Sequence, residues 1–294
     1  MTGQEATISE TAHAKVNLTL EVIARRSDGY HEIASVVQLV DLHDTLYFEA
    51  AEGLRLSCNI PELVSPYNMV VRAARALLET GASDRGTAIS LDKAIPLAGG
   101  LGGGSSDAAA ALRALNRMWG MNLHGDGLRS VAERLGSDVP FLLTGKATAV
   151  LSGRGEGVTP LPPLGQRWLV LVRPPLHIPN KTREMYARVM PSHHTDGSRT
   201  LRMAEAIRDG GETDQDMCWN VFDDVAFGAF PVLDEYRRQF LAAGAGAVHL
   251  TGSGPCMFAF AGDRTEGETI ARRLEKHRML PCLISTLPAN PVRS

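Results

Sequence analysis

The sequence predicts an α+β protein. Short β-branched runs and helix-periodic stretches are mixed irregularly, and no internal repeat of fixed period recurs. The best break in the chain, the Pro160–Gly165 cluster, falls after a strand-rich opening and before a run of helical segments. An irregular mixture of this kind differs from the strict alternation of a βαβ array. The break divides the 294 residues into expected domains 1–160 and 161–294.

Ala14–Ile23, Ala34–Leu42, Thr45–Phe48 and Leu54–Asn59 read as strands, punctuated by Ser27-Asp28-Gly29, Asp41–Asp44 and Glu52-Gly53. Asn68 precedes a helical segment whose apolar surface is Val71, Ala74, Ala76, Leu77 and Leu78. Thr87–Leu91 reads as a strand, alanine-rich Ala108–Trp119 as a helix, and Leu128–Leu135 as a second helix stopped by Gly136. Ala147–Leu151, Leu169–Val172 and Met257–Phe260 are strand candidates. Lys181–Val189, Leu201–Arg208, Val232–Ala242 and Glu266–Lys276 are helical, and the polar segment His193–Ser198 reads as a mobile loop.

The most unusual segment is Pro96-Leu97-Ala98-Gly99-Gly100-Leu101-Gly102-Gly103-Gly104-Ser105-Ser106-Asp107. Glycine permits positive φ and close backbone approach. Unpaired N–H groups at the helix start that follows make an anion site. Ser105 or Ser106 adds a hydroxyl for a phosphate or for Mg²⁺. A Walker A loop needs Lys directly after its last Gly, where Ser105 stands, and the Rossmann spacing would need Gly at Ser105. Protein-kinase glycine loops lie between two strands. The segment reads as a phosphate cradle of a third kind whose lysine comes from elsewhere, the alternative being a flexible loop with Ser105 as a helix N-cap.

Composition bounds the rest. Thirty Lys+Arg against 33 Asp+Glu give a net charge of −3, which provides no footprint for nucleic acid or an anionic membrane surface. No apolar run approaches the roughly 20 residues of a membrane span, and the N-terminal stretch lacks the apolar core of a secretory signal. Cys58, Cys218, Cys256 and Cys282 are too widely separated for a disulfide framework or zinc ribbon. The expectation is a reduced, cytoplasmic protein of enzyme size, with no nucleic-acid or membrane partner.

Pro96–Ala108 resembles the central motif of the GHMP kinase superfamily, P-x-x-x-G-L-G-S-S-A, lengthened by two glycines. The extended form is similar to that of the branch that phosphorylates 4-diphosphocytidyl-2-C-methyl-D-erythritol. Ala14-Lys15-Val16-Asn17-Leu18, Arg26-Ser27-Asp28-Gly29-Tyr30-His31, Leu135-Gly136-Ser137-Asp138-Val139-Pro140, Gly153-Arg154-Gly155-Glu156 and Leu250-Thr251-Gly252-Ser253-Gly254 match further motifs of that branch in order. The resemblance implies a two-lobed fold. Its N-terminal lobe would be like ribosomal protein S5 domain 2 and its C-terminal lobe ferredoxin-like α/β.

It also implies roles. MgATP would donate its γ-phosphoryl to the 2-hydroxyl of the cytidine-diphosphate-linked methylerythritol, a step of non-mevalonate isoprenoid biosynthesis. Lys15 and Asp138 would be the catalytic pair. Asp138 lies in a short turn able to aim a carboxylate, with a cap or turn role as the alternative, and Asp107 is its rival as base. Pro96 to Ser106, with Asn68 and Lys93, would hold ATP; outside the resemblance Asn68 reads as a helix cap and Lys93 as a solvated strand end. Asn17, Tyr30, His31, Thr182, Tyr186, Gly252 and Ser253 would hold the acceptor, with aromatic rings stacking on cytosine. Other kinases of the superfamily, and a silent nucleotide-binding regulator, are the rival readings. The Tyr30-His31 segment argues against the first and intact Lys15 and Asp138 against the second.

Overall fold

The computed structural model describes residues 7–81, 85–210, 213 and 215–291. In chain order its elements are β1 (Ile8–Asn17), β2 (Thr19–Arg25), β3 (His31–Ala50), β4 (Leu54–Cys58), α1 (Met69–Leu78), β5 (Thr87–Asp92), α2 (Gly103–Met118), α3 (Asp126–Leu135) and α4 (Val139–Leu143). There follow β6 (Thr148–Ser152), β7 (Gly157–Pro160), β8 (Trp168–Val172), α5 (Lys181–Ala187), α6 (Ser198–Arg208), β9 (Trp219–Asn220) and α7 (Val221–Ala229). The chain closes with α8 (Pro231–Ala242), β10 (His249–Leu250), β11 (Met257–Ala261), α9 (Arg264–Glu275) and β12 (Pro281–Ser285). Strands and helices are mixed as expected of an α+β chain.

The described residues fall into two packed units. One lies within Met1–Ala14, Leu42–Ile95 and Gly102–Gly145, the other within Lys15–Asp41, Pro96–Leu101 and Lys146–Ser294. In the first unit β5 pairs antiparallel with the second half of β3 and parallel with β4. The helix α1 starts where the Asn68 side chain accepts the Val70 N–H, and it buries Val70, Val71, Ala73, Ala74, Ala76 and Leu77. It packs on α2, whose small residues Ala108 to Ala111 are fully buried and also let α4 approach closely.

In the second unit the first half of β3 pairs antiparallel with β2 and with β6, and β2 runs parallel to β9. A separate antiparallel sheet has the order β10-β11-β8-β12. The alternating side chains of β8 and β11 place Val170, Val172, Met257 and Ala259 in a core with Phe222, Phe240 and Leu274 from α7, α8 and α9. Each such large side chain contributes about 1.5–3 kcal/mol when fully buried. Among the described residues no helix is long and apolar enough to cross a membrane, and all four cysteines are free thiols.

Several sequence expectations are corrected. The single strand Ala14–Ile23 is two, broken at Leu18, because the Thr19 hydroxyl takes the Val36 N–H in place of a ladder carbonyl. Conversely, Ala34–Leu42 and Thr45–Phe48 are parts of one strand that runs through Asp41–Asp44. Those aspartates make no turn because each carboxylate is satisfied from another element. Asp41 accepts from the N–H and hydroxyl of Ser285, and Asp44 from the N–H groups of Ala94 and Ile95. The alanine-rich helix starts inside the glycines, at Gly103. The segment His193–Ser198 is tied to β2 by the Thr195 N–H on the Val22 carbonyl, 2.9 Å away. The short elements α4, β7 and β12 carry no clear sequence signal.

Candidate active site

Within the second unit two glycine turns abut. The Cys256 N–H donates to the Gly99 carbonyl at 3.1 Å, and the Thr251 hydroxyl to the Gly100 carbonyl at 3.2 Å. A Cβ at Gly99 would stand 2.5 Å from the Cys256 sulfur, and one at Gly100, where φ is +87°, would collide with the Thr251 carbonyl. Both glycines are therefore required by close approach and not merely by flexibility. Burial pushes the Cys256 thiol up to about 12, so it packs as an inert apolar group.

Lys15 meets this junction. Its N–H donates to the Leu101 carbonyl at 2.9 Å, tying β1 to the middle of the loop. Its side chain is only 4% exposed, and Nζ donates to Asn17 Oδ1 at 2.7 Å. The Asn17 amide is oriented in turn by its bond to Ser35 Oγ at 2.8 Å. A Cβ at Gly252 would lie 3.4 Å from Lys15 Nζ and 3.6 Å from Asn17 Oδ1. Lys15, Asn17 and Gly252 are thus brought together, and Lys15 is a buried ammonium, not a solvated surface lysine.

Two of the expected acceptor residues form an aromatic pair. His31 stacks on Tyr186 with centroids 5.1 Å apart and planes 27° apart, and Tyr186 stands edge-on to Phe222 at 4.9 Å. Burial, then the charge of Arg25, lowers the His31 pKa, which keeps the ring neutral at pH 7. Tyr30 does not join that stack. It is 56% exposed, with the Arg154 guanidinium 4.8 Å above its ring. Thr182 Oγ1 lies 3.4 Å from Ser253 Oγ, beside a bond from Lys181 Nζ to the Gly254 carbonyl. Arg154 and Lys181 were not singled out from the sequence. Arg154 is legible as the variable position of Gly153-Arg154-Gly155-Glu156, whereas nothing local marks Lys181.

In the first unit the loop ends in a helix start. Gly102, at φ +71°, occupies the cap position of α2 without a side-chain cap. The Ser106 N–H reaches the Gly102 carbonyl at 2.8 Å. The N–H groups of Gly103, Gly104 and Ser105 therefore precede the first intrahelical bond, the position from which a helix start donates to an anion. The Ser106 hydroxyl donates to the His13 carbonyl at 2.7 Å. Half-buried Ser105 makes no such bond among the described residues.

Lys93 is no solvated strand end. Its Nζ is buried between Asp44 Oδ2 and Asp107 Oδ2, the latter at 2.7 Å, and lies beneath Gly103. Asp107 is 3% exposed, and its Oδ1 has no hydrogen-bond partner among the described residues. Burial, reinforced by the Asp44 charge and opposed by Lys93, pushes its carboxyl up to about 7. The Lys93 ammonium is lowered by burial but raised more by the two carboxylates, so it stays charged. Asn68 uses its amide locally, accepting from Val70 N and donating to the Leu63 carbonyl, both at 2.9 Å. Asp138 occupies the cap position of α4, yet its side chain makes no capping hydrogen bond. That carboxylate therefore does not cap α4 through a hydrogen bond.

Comparison with known proteins gives the family. Residues 68–146 match the GHMP kinases N terminal domain and residues 203–278 the GHMP kinases C terminal family. A 4-diphosphocytidyl-2-C-methyl-D-erythritol kinase of Dehalococcoides mccartyi is 40% identical over 94% of this chain and 97% of that protein. One of Pelotomaculum thermopropionicum is 41% identical over 92% and 94%. A crystal structure of 4-(cytidine 5'-diphospho)-2C-methyl-D-erythritol kinase superposes with a TM-score of 0.81 at 33% identity, covering 95% of this chain and 99% of that one. A homoserine kinase of Cytophaga hutchinsonii, 17% identical with a TM-score of 0.69, shares the fold. With these relatives covered almost end to end, the chain belongs to the 4-diphosphocytidyl-2-C-methyl-D-erythritol kinase family of GHMP kinases.

Proposed function

We propose that this chain transfers the γ-phosphoryl of MgATP to the 2-hydroxyl of 4-diphosphocytidyl-2-C-methyl-D-erythritol, releasing ADP and the 2-phosphate in the non-mevalonate isoprenoid pathway of the cytoplasm. The observation that carries the site assignment is the buried Lys15 ammonium set against Asn17 and Gly252, beside a double glycine turn. The N–H groups of Gly103, Gly104 and Ser105 would take the triphosphate, and the rest of Pro96–Ser106 would shape its cradle. Lys93 would support that cradle from below through Asp107, and Asn68, at the start of α1, would lie toward the ATP nucleoside. Bound MgATP supplies the electrophilic phosphorus, and Ser105 is the protein oxygen suited to a hard cation. The border near residue 160 would separate the two GHMP domains, in keeping with matches that end at 146 and resume at 203.

The acceptor would be read by its base and aligned by its alcohol. His31 and Tyr186 offer one aromatic face, Tyr30 with Arg154 a second, and Thr182 and Ser253 a pair of hydroxyls. Asp138 would accept the hydroxyl proton while Lys15 stabilises charge on the oxygen, with Asn17 as a further hydrogen-bond partner. In a loose phosphoryl transfer the proton leaves late, so orientation is the larger part of the work of Asp138. Asp138→Asn is expected to lower kcat about 10²–10⁴-fold with little change in either KM. Wild-type kcat in that variant would remove Asp138 from the mechanism.

A further inference from the structure

We propose that Asn220 is a positioning residue for the transfer: its side-chain amide fixes the backbone of Leu250–Gly252, and with it the place where Gly252 meets Lys15 and Asn17. The inference rests on the reading of Lys15 and Gly252 given under Proposed function.

Asn220 is 1% exposed and ends β9, where it pairs with Leu20 of β2. Its Oδ1 accepts the Phe222 N–H at 2.9 Å and so caps α7. Its Nδ2 donates twice, to the Leu250 carbonyl and to the Gly252 carbonyl, each at 2.8 Å. One amide thus joins a helix start, the strand β10 and the glycine turn. Asp223, a turn further along α7, holds the same segment from its other side by accepting the Leu250 N–H and His249 Nδ1, each at 2.8 Å.

The choice of side chain is informative. A helix cap needs only an acceptor, which Ser, Thr or Asp supplies as well as Asn. Two further donors on the same short side chain are found only in Asn. The capacity beyond capping is spent entirely on the carbonyls that flank Thr251, and Gly252 cannot shift without changing its distance to Lys15 Nζ, since a Cβ there would already stand 3.4 Å from it.

The test compares Asn220→Ser, Asn220→Asp and Asn220→Ala in the full chain, with thermal midpoints alongside kinetics. Both Ser and Asp keep the capping acceptor; Asp loses both donors, and Ser loses the two amide donors and retains a single hydroxyl proton, too few for both carbonyls. The expected result is a fall of about 10- to 100-fold in kcat/KM for the cytidylyl acceptor in all three, the equivalent of roughly one to two lost buried hydrogen bonds. The KM for ATP should stay within about twofold. Wild-type acceptor kinetics in the folded Ser variant, with only the Ala variant less stable, would show a cap and nothing more. Should the Asp variant not fold, the Ser variant still decides. A double variant with Gly252→Ala gives a second readout: less-than-additive losses are expected if Asn220 acts through Gly252, and additive losses overturn the idea. A Lys15→Met variant with undiminished turnover would overturn the site reading and this inference together, whereas loss in Lys15→Met with normal Asn220→Ser kinetics would overturn this inference alone.

Discussion

Two carboxylates and one ammonium lie buried at Asp44, Asp107 and Lys93, and the charge count governs how they respond to pH. Asp107 carries the surplus, with its carboxyl pushed by burial from 3.8 to about 7. Between those values the folded chain binds more protons than the unfolded one, so stability falls as pH rises through that window and levels off above it. Asp107→Asn keeps the shape and an acceptor for Lys93 but cannot titrate. Its thermal midpoint relative to the parent should therefore climb from about pH 4 to about pH 7, and parallel curves would show that Asp107 does not titrate there. Lys93→Met is the opposite case, leaving two buried carboxylates without their cation, and should cost about 3–5 kcal/mol in chemical denaturation. From sequence Asp107 looked like a rival base and Lys93 like a solvated end. Neither ion pair is legible locally, because Asp44 and Lys93 are distant in the chain and meet only once β3 and β5 pair.

At the scale of elements, the glycine turns are legible in the sequence as turns, but what they turn against is not. Gly99 and Gly100 press on Cys256 and Thr251, which no spacing rule connects to them. Gly100→Ala should therefore disturb both turns at once. It combines a positive φ with a backbone collision, and a loss of about 1–3 kcal/mol is expected, measured by denaturant titration. A smaller effect than at an exposed positive-φ glycine such as Gly53, whose added Cβ would meet nothing within 4 Å, would contradict the close-approach account. Strands and helices with clear periodicity, such as α1, α6 and α9, were readable to within a few residues. The long strand β3 was misread as two because Asp41 and Asp44 are turn formers in isolation. Their partners, Ser285 in one case and the Ala94–Ile95 backbone in the other, override that preference.

At the scale of the whole molecule, the family and its reaction were legible because several short motifs recur in one order from Lys15 to Gly254, and a set of that kind is far more specific than any member. The relation among aromatic rings was less so. Adjacent Tyr30 and His31 point to one stack, yet alternation along a strand start sends them to different partners, Arg154 and Tyr186. The most direct test of the account is ADP release by the purified protein with MgATP. Diphosphocytidyl-methylerythritol, mevalonate, homoserine and galactose would be offered in parallel, each with parent and Tyr186→Ala protein. Turnover with the cytidylyl alcohol alone, at a KM raised about tenfold or more in Tyr186→Ala, is the expected result. Equal turnover with an alcohol that carries no base, or an unchanged KM in the variant, would contradict it.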